Sequence, residues 1–215
     1  MASKRLLLSA ARLYVIVDAE CCAGRDPVAV AEAAADGGAD ILQWRAKSWP
    51  ADRRETVARA LAAALAPRPV LFIINDHVEL ALAVGADGVH LGQDDLPAAA
   101  ARPLMGPDRL IGVSTHSLEQ ALAAQQAGAD YIGVGPVFAT PTKPDARAVG
   151  PELVRQVAGR IAIPFVAIGG IDQANLPLVL SSGATRVAVV RAVAGAPDVR
   201  RAAQALKRLL TERTG

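Results

Sequence analysis

Short runs of Val, Ile and Leu alternate along the whole chain with longer Ala-rich stretches in which apolar and polar positions interleave. The short runs are Leu13–Ala19, Ile41–Lys47, Val70–Asp76, Gly88–Gln93, Leu110–Thr115, Tyr131–Phe138, Pro164–Ile171 and Arg186–Val193. They are mostly continuous rather than alternating, as in strands buried on both faces of a parallel sheet. The stretches between them predict helices near Asp26–Gly38, Pro50–Pro67, His77–Gly85, Pro97–Met105, Ser117–Gly128, Pro151–Arg160, Asn175–Gly183 and Asp198–Arg213. Several open on a capping residue: Asp26 before Pro27, Ser117 with Gln120 three later, and Asp198. Several close on a glycine, which adopts a left-handed cap at little cost.

Those glycines expose a repeat. Gly38-Ala39-Asp40, Gly85-Ala86-Asp87, Gly128-Ala129-Asp130 and Gly183-Ala184-Thr185 lead into the second, fourth, sixth and eighth strands. Eight strand–helix units of about 27 residues predict an α/β protein with a single (β/α)8 TIM barrel spanning residues 1–215. Residues 1–12 read as a short N-terminal extension. The rival, an open doubly wound sheet, usually has fewer units and a glycine-rich first turn; the turn after strand one contains no G-x-G-x-x-G. In a barrel, chemistry gathers at the C-terminal ends of the strands. Asp40, Asp87 and Asp130 stand at strand starts and are therefore expected to do structural work.

Composition narrows the function classes. With 52% hydrophobic residues, 20% charged residues and a net charge of +2, global disorder and a nucleic-acid footprint are both excluded. No apolar run is long enough to span a membrane. Lys4-Arg5 before Leu6-Leu7-Leu8 imitates a signal peptide, but Arg12 interrupts the apolar run. Cys21 and Cys22, the only cysteines, have neither a disulfide framework nor a zinc spacing. They are expected to be incidental thiols in a cytoplasmic protein.

Polar residues at the strand ends carry the chemistry. Gln43, Arg45 and Lys47 share one face of strand two and form either an anion site or an internal ion-pair network; Trp44 and Ala46 face outward. Strand three ends Asn75-Asp76 and strand four runs into Gln93-Asp94-Asp95. Asp76 and one of Asp94 or Asp95 can converge on a cation such as Mg²⁺; the other, Asp94 by preference, is expected to cap the next helix. The segment after strand six, Gly135–Pro144, is long, Pro-rich and polar and reads as an active-site loop or lid. Only four lysines occur, and Lys47 and Lys143 both fall in these segments. Gly169-Gly170 and Val190-Arg191 form a phosphate-binding corner of the kind common in barrels. His77, His90 and His116 read mainly as core or surface residues, with His116 the best placed of the three for acid–base work.

Together these segments resemble the thiamine-phosphate synthase family. The resemblance rests on Gln43-Trp44-Arg45-Ala46-Lys47, Asn75-Asp76, Gly88 to Leu96, Gly112-Val113-Ser114, Gly133 to Pro136, Thr140-Pro141-Thr142-Lys143 and Ala167 to Ile171, in one order over residues 13–210. It implies a transferase that joins hydroxymethylpyrimidine diphosphate to thiazole phosphate and releases pyrophosphate. It further implies that Gln43, Arg45, Lys47, Asn75, Ser114 and Lys143 hold the pyrimidine diphosphate. Of these, Arg45, Lys47, Ser114 and Lys143 would be the catalytic groups. Asp76 and Asp95 would hold Mg²⁺, and Thr140, Thr142, Gly170, Val190 and Arg191 the thiazole phosphate.

Two positions depart from the family pattern: Trp44, where a smaller residue or Phe is usual, and Arg191, where a small hydroxyl residue is common. The implied partners are small phosphorylated molecules, with no nucleic acid and no membrane. The oligomeric state stays open between a monomer and a homo-oligomer. The alternatives are a thiazole tautomerase-like isomerase using His116, a Schiff-base aldolase using Lys47 or Lys143, and a non-catalytic phosphometabolite-binding barrel.

Overall fold

A computed structural model describes residues 3–142 and 147–212. Eight parallel strands close into a barrel in sequence order. They are β1 (Leu13–Asp18), β2 (Ile41–Arg45), β3 (Leu71–Asn75), β4 (Gly88–Leu91), β5 (Leu110–Thr115), β6 (Tyr131–Val134), β7 (Phe165–Ile168) and β8 (Val187–Val189). The helices are α1 (Lys4–Ala10), α2 (Pro27–Asp36), α3 (Ala51–Leu65), α4 (Val78–Ala83), α5 (Ala98–Met105), α6 (Leu118–Gln126), α7 (Gly150–Ala158), α8 (Leu176–Ser181) and α9 (Val199–Glu212). No described helix is long and apolar enough to cross a membrane.

Strand alternation builds two cores. Outward side chains such as Val15, Leu42, Trp44, Ile74 and Val89 pack under the helix ring. Inward ones, among them Tyr14, Ile16, Ile41, Ile73, Leu110, Tyr131 and Val166, fill the lumen. Trp44 therefore lies outside the barrel wall, edge-on to Trp49, as its parity predicts.

Within residues 1–12 most of the described part is helix α1, capped where Ser3 Oγ accepts from the Leu6 N–H. Its Leu8, with Ala11 just beyond it, joins the lumen core, 2% and 3% exposed. The helix thus closes the N-terminal mouth. A short apolar run such as Leu6-Leu7-Leu8 cannot reveal where it packs. The strand-start aspartates do structural work at this end. Asp40 Oδ2 accepts from the N–H groups of Arg12 and Leu13, at 2.8 and 2.9 Å. Asp87 Oδ2 accepts from Phe72 N–H and Asp130 Oδ2 from Ile111 N–H, both at 2.9 Å.

β6 and β8 end earlier than the hydrophobic pattern predicts. After Val134 comes Pro136, which has no N–H for a ladder. After Val189 the chain turns back on itself, with Ala194 N–H donating to Val190 O at 2.8 Å. These segments become loops at the C-terminal mouth. Asp94 does not cap α5: Pro97 occupies that position and no side chain bonds to the helix start. The Ala100 and Ala101 N–H groups both donate to Pro97 O at 2.9 Å.

Candidate active site

All eight strands contribute side chains, or the loops that follow, to one cavity of about 410 Å³ at the C-terminal mouth. Gln43 and Arg45 come from β2, Asn75 from β3 and Ser114 from β5. Thr140 and Thr142 follow β6, Gly170 follows β7, and Val190 and Arg191 follow β8. Nine residues nominated from the sequence thus share one cavity. Lys143 lies outside the described residues, as does the centre of the loop that carries it.

The remaining nominees, Lys47, Asp76 and Asp95, group beside the cavity on its β2–β4 side. Lys47 Nζ stands 3.1 Å from Asp76 Oδ2. Asp76 adopts a left-handed backbone, φ 62°, which aspartate tolerates better than most residues. Its N–H donates to His90 O at 2.8 Å, so the turn is pinned to the neighbouring strand. Burial raises the Asp76 carboxyl above its ordinary range; the hydrogen bond to Asp95 pushes the same way, and Lys47 pulls back. On Asp95 burial works upward, but the hydrogen bonds from Asp76 and from Gly92 N–H outweigh it and leave that carboxyl low. Gly92 N–H donates to Asp95 Oδ2 at 2.7 Å. Two touching carboxylates without a third His, Cys, Asp or Glu among the described residues suit a hard divalent cation that completes its shell with water and phosphate.

Arg45 at the end of β2 and Lys47 just beyond it both have carboxylate partners. Arg45 is paired to Asp18, whose side chain is 2% exposed, and Lys47 to Asp76. The ion-pair alternative is therefore realised, and of these four groups Arg45 also lines the cavity. Asp18 was not singled out in the sequence, although it is the polar residue that ends β1, the position where barrel chemistry collects. Arg25 was missed too. Its guanidinium donates to Cys22 O, Ala194 O and Ala196 O at 3.0, 2.6 and 2.7 Å, tying the β8 loop to the β1 loop. The thiols beside it are free and buried. Burial pushes Cys22 up to about 11 and raises Cys21 as well, which keeps both protonated and unreactive.

The corner after β7 needs its glycines. Gly169 and Gly170 have φ 104° and 62°, and a Cβ on Gly170 would meet Ala139 O at 2.7 Å. Asn175 Nδ2 donates to Gly170 O at 2.7 Å and fixes the turn. His116 lines the cavity, with Nδ1 hydrogen-bonded to Gly135 O.

Beneath the cavity a polar chain crosses the lumen. Gln43 Nε2 donates to Tyr14 Oη at 2.6 Å, Tyr14 Oη lies 3.1 Å from Tyr131 Oη, Tyr131 Oη 3.1 Å from His90 Nδ1, and His90 Nε2 3.0 Å from Ser114 Oγ. Lumen parity places all five side chains inward, but no sequence spacing links residues contributed by five different strands.

The family model described as thiamine monophosphate synthase matches residues 13–193. The chain belongs to that family. It is 48% identical to a thiamine-phosphate synthase of Shouchella clausii, over 94% of this chain and 97% of that one. It is 50% identical to that of Chloroflexus aurantiacus, over 93% of each. The thiamine phosphate pyrophosphorylase structure from Pyrococcus furiosus superposes with a TM-score of 0.89 at 40% identity, covering 97% of this chain and 100% of that one. The chain is accordingly a transferase of the thiamine-phosphate synthase type, acting on small phosphorylated substrates, and the isomerase and binding-barrel alternatives are not favoured.

Proposed function

We propose that this cavity joins hydroxymethylpyrimidine diphosphate to thiazole phosphate in a dissociative displacement. The observation that carries the reading is the convergence of Gln43, Arg45, Asn75, Ser114, Thr140, Thr142, Gly170, Val190 and Arg191 on one cavity, with the Asp76–Asp95 pair beside it. The bond between the pyrimidine methylene carbon and the diphosphate oxygen breaks, and its electron pair leaves with pyrophosphate. The thiazole ring nitrogen then donates its lone pair to that carbon and becomes the thiazolium. No proton has to be removed, so no general base is needed.

Arg45 and Lys47 hold the diphosphate and stabilise the charge that develops on it. Gln43, Asn75 and Ser114 orient the pyrimidine. Thr140, Thr142 and the Gly170 and Val190-Arg191 turns hold the thiazole phosphate; Arg191, exposed at the cavity wall, adds a cation there. Mg²⁺ on Asp76 and Asp95 would neutralise the leaving group's charge. Lys143 belongs to the diphosphate set by the resemblance alone.

The test mixes purified protein with both substrates and either Mg²⁺ or EDTA, and follows thiamine phosphate by mass spectrometry. Mg²⁺-dependent product that disappears in a folded Asp76→Ala variant is the expected result. Full activity of Asp76→Ala, or of wild-type protein in EDTA, overturns the metal assignment. No product from either protein overturns the reaction.

A further inference from the structure

We propose that the buried chain Gln43–Tyr14–Tyr131–His90–Ser114 is a specificity device that selects a 4-amino- over a 4-oxo-pyrimidine diphosphate. The inference rests on the reaction proposed above and concerns how its pyrimidine is recognised.

Proton accounting gives the chain a direction. The Gln43 amide nitrogen can only donate, and it donates to Tyr14 Oη. Tyr14 Oη and Tyr131 Oη lie 3.1 Å apart, and giving the buried Tyr14 proton an acceptor assigns that role to Tyr131 Oη. On that assignment the Tyr131 proton goes to His90 Nδ1, the unprotonated ring nitrogen. The His90 proton therefore sits on Nε2 and is donated to Ser114 Oγ. Ser114 keeps its own hydroxyl proton for the cavity. At the other end, Gln43 Oε1 has no hydrogen-bond partner among the described residues and Gln43 lines the cavity. The ligand thus meets an acceptor at Gln43 and a donor at Ser114.

That polarity matches an aminopyrimidine, whose amine donates and whose ring nitrogen accepts. An oxo-pyrimidine offers the reverse, a carbonyl acceptor beside a ring N–H donor. To accommodate it the Gln43 amide would have to turn over at a site 2% exposed, and all four hydrogen bonds would change hands together. A site whose buried polar groups are left unpaired by the wrong ligand discriminates strongly. Burial raises both tyrosine hydroxyls, so each keeps the proton it donates. Gly112 leaves room for the chain: a Cβ there would meet Tyr131 Oη at 2.5 Å and His90 Nδ1 at 2.6 Å. Tyr14, Tyr131 and His90 are on this account positioning residues that act through Gln43 and Ser114.

The experiment measures, by calorimetry with Mg²⁺ and without thiazole phosphate, the affinity of hydroxymethylpyrimidine diphosphate and of its 4-oxo analogue. It compares wild type, Tyr131→Phe, Tyr14→Phe and, as a lumen variant outside the chain, Leu110→Ala. Wild type and Leu110→Ala are expected to prefer the amino compound by about a hundredfold or more, and the two Phe variants by about tenfold or less, because the uncoupled ends can each invert alone. Nitrogen NMR of wild-type His90 supplies a readout independent of any variant, with the proton expected on Nε2. A proton on Nδ1, or discrimination undiminished in both Phe variants, overturns the proposal while leaving the synthase reaction intact. Wild-type protein that makes no thiamine phosphate overturns the reaction itself and the proposal with it.

Discussion

Asp18→Asn separates stability from anion binding in a way that tests the electrostatics of the site. The wild-type carboxylate is 2% exposed and pairs with Arg45, itself 15% exposed. Removing one member of a buried pair costs about 3–5 kcal/mol when the other charge is left unsolvated. Asn keeps the volume and can still accept from Glu20 N–H, which donates to Asp18 Oδ1 at 2.9 Å. Arg45 also opens onto a hydrated cavity, so the cost falls to about 2–3 kcal/mol. For a protein of this size that lowers Tm by roughly 4–12 °C. Anion affinity should move the other way. The substitution removes a negative charge roughly 7 Å from a diphosphate held on Arg45, worth about 2 kcal/mol per anion charge before salt screening. Pyrophosphate binding should therefore tighten by about thirtyfold or more at low salt, and saturating pyrophosphate should recover much of the lost Tm. The assays are thermal unfolding with and without pyrophosphate, and calorimetric titration of pyrophosphate. An unchanged Tm would show that the pair is not energetically buried. Weaker pyrophosphate binding would show that Asp18 matters for the geometry of Arg45 rather than for its charge.

Three further outcomes follow from the lumen. Leu8→Ala should cost about 2–4 kcal/mol by leaving a cavity in the barrel floor, with kcat/KM unchanged because the active site lies at the opposite mouth; chemical denaturation and steady-state kinetics check both halves. Gly112→Ala, whose Cβ would sit 2.1 Å from Tyr131 Cζ, should destabilise the fold and weaken pyrimidine binding together, whereas Gly133→Ala, whose nearest contact is His90 Cε1 at 3.3 Å, should be mild by comparison; equal effects in the two variants would refute the packing argument. Tyr14 and Tyr131 are the chain's only tyrosines and both are raised, chiefly by burial, so tyrosinate absorbance should stay absent in the native protein at pH 11 and appear only on unfolding. The sign is fixed by linkage: the folded state holds these protons more tightly, so their contribution is complete below about pH 10 and is lost above it, at about 1.4 kcal/mol per pH unit for each tyrosine.

Much of this protein was legible in its residues. Continuous apolar runs separated by glycine-capped helices specify a parallel α/β repeat, because strands buried on both faces leave no polar alternation. The chain's unit count and its strand parity then place Gln43, Arg45, Asn75 and Ser114 inside the mouth and Trp44 outside it. Local chemistry also decides caps such as Asp26 and Ser117, whose side chains bond the first-turn amides of the helices they precede.

What the tertiary structure alone decided is everything that depends on which strands become neighbours across the lumen. The Asp18 pairing with Arg45, the carboxylate contact between Asp76 and Asp95, and the plug formed by Leu8 join residues far apart in the chain. The Gln43-to-Ser114 chain spans five strands; its two ends were nominated from the sequence, but nothing local links them through Tyr14, Tyr131 and His90. Periodicity determines which face a side chain takes, because that is a local property of the backbone. The partner it meets on that face is set by barrel closure and register, which no single segment encodes.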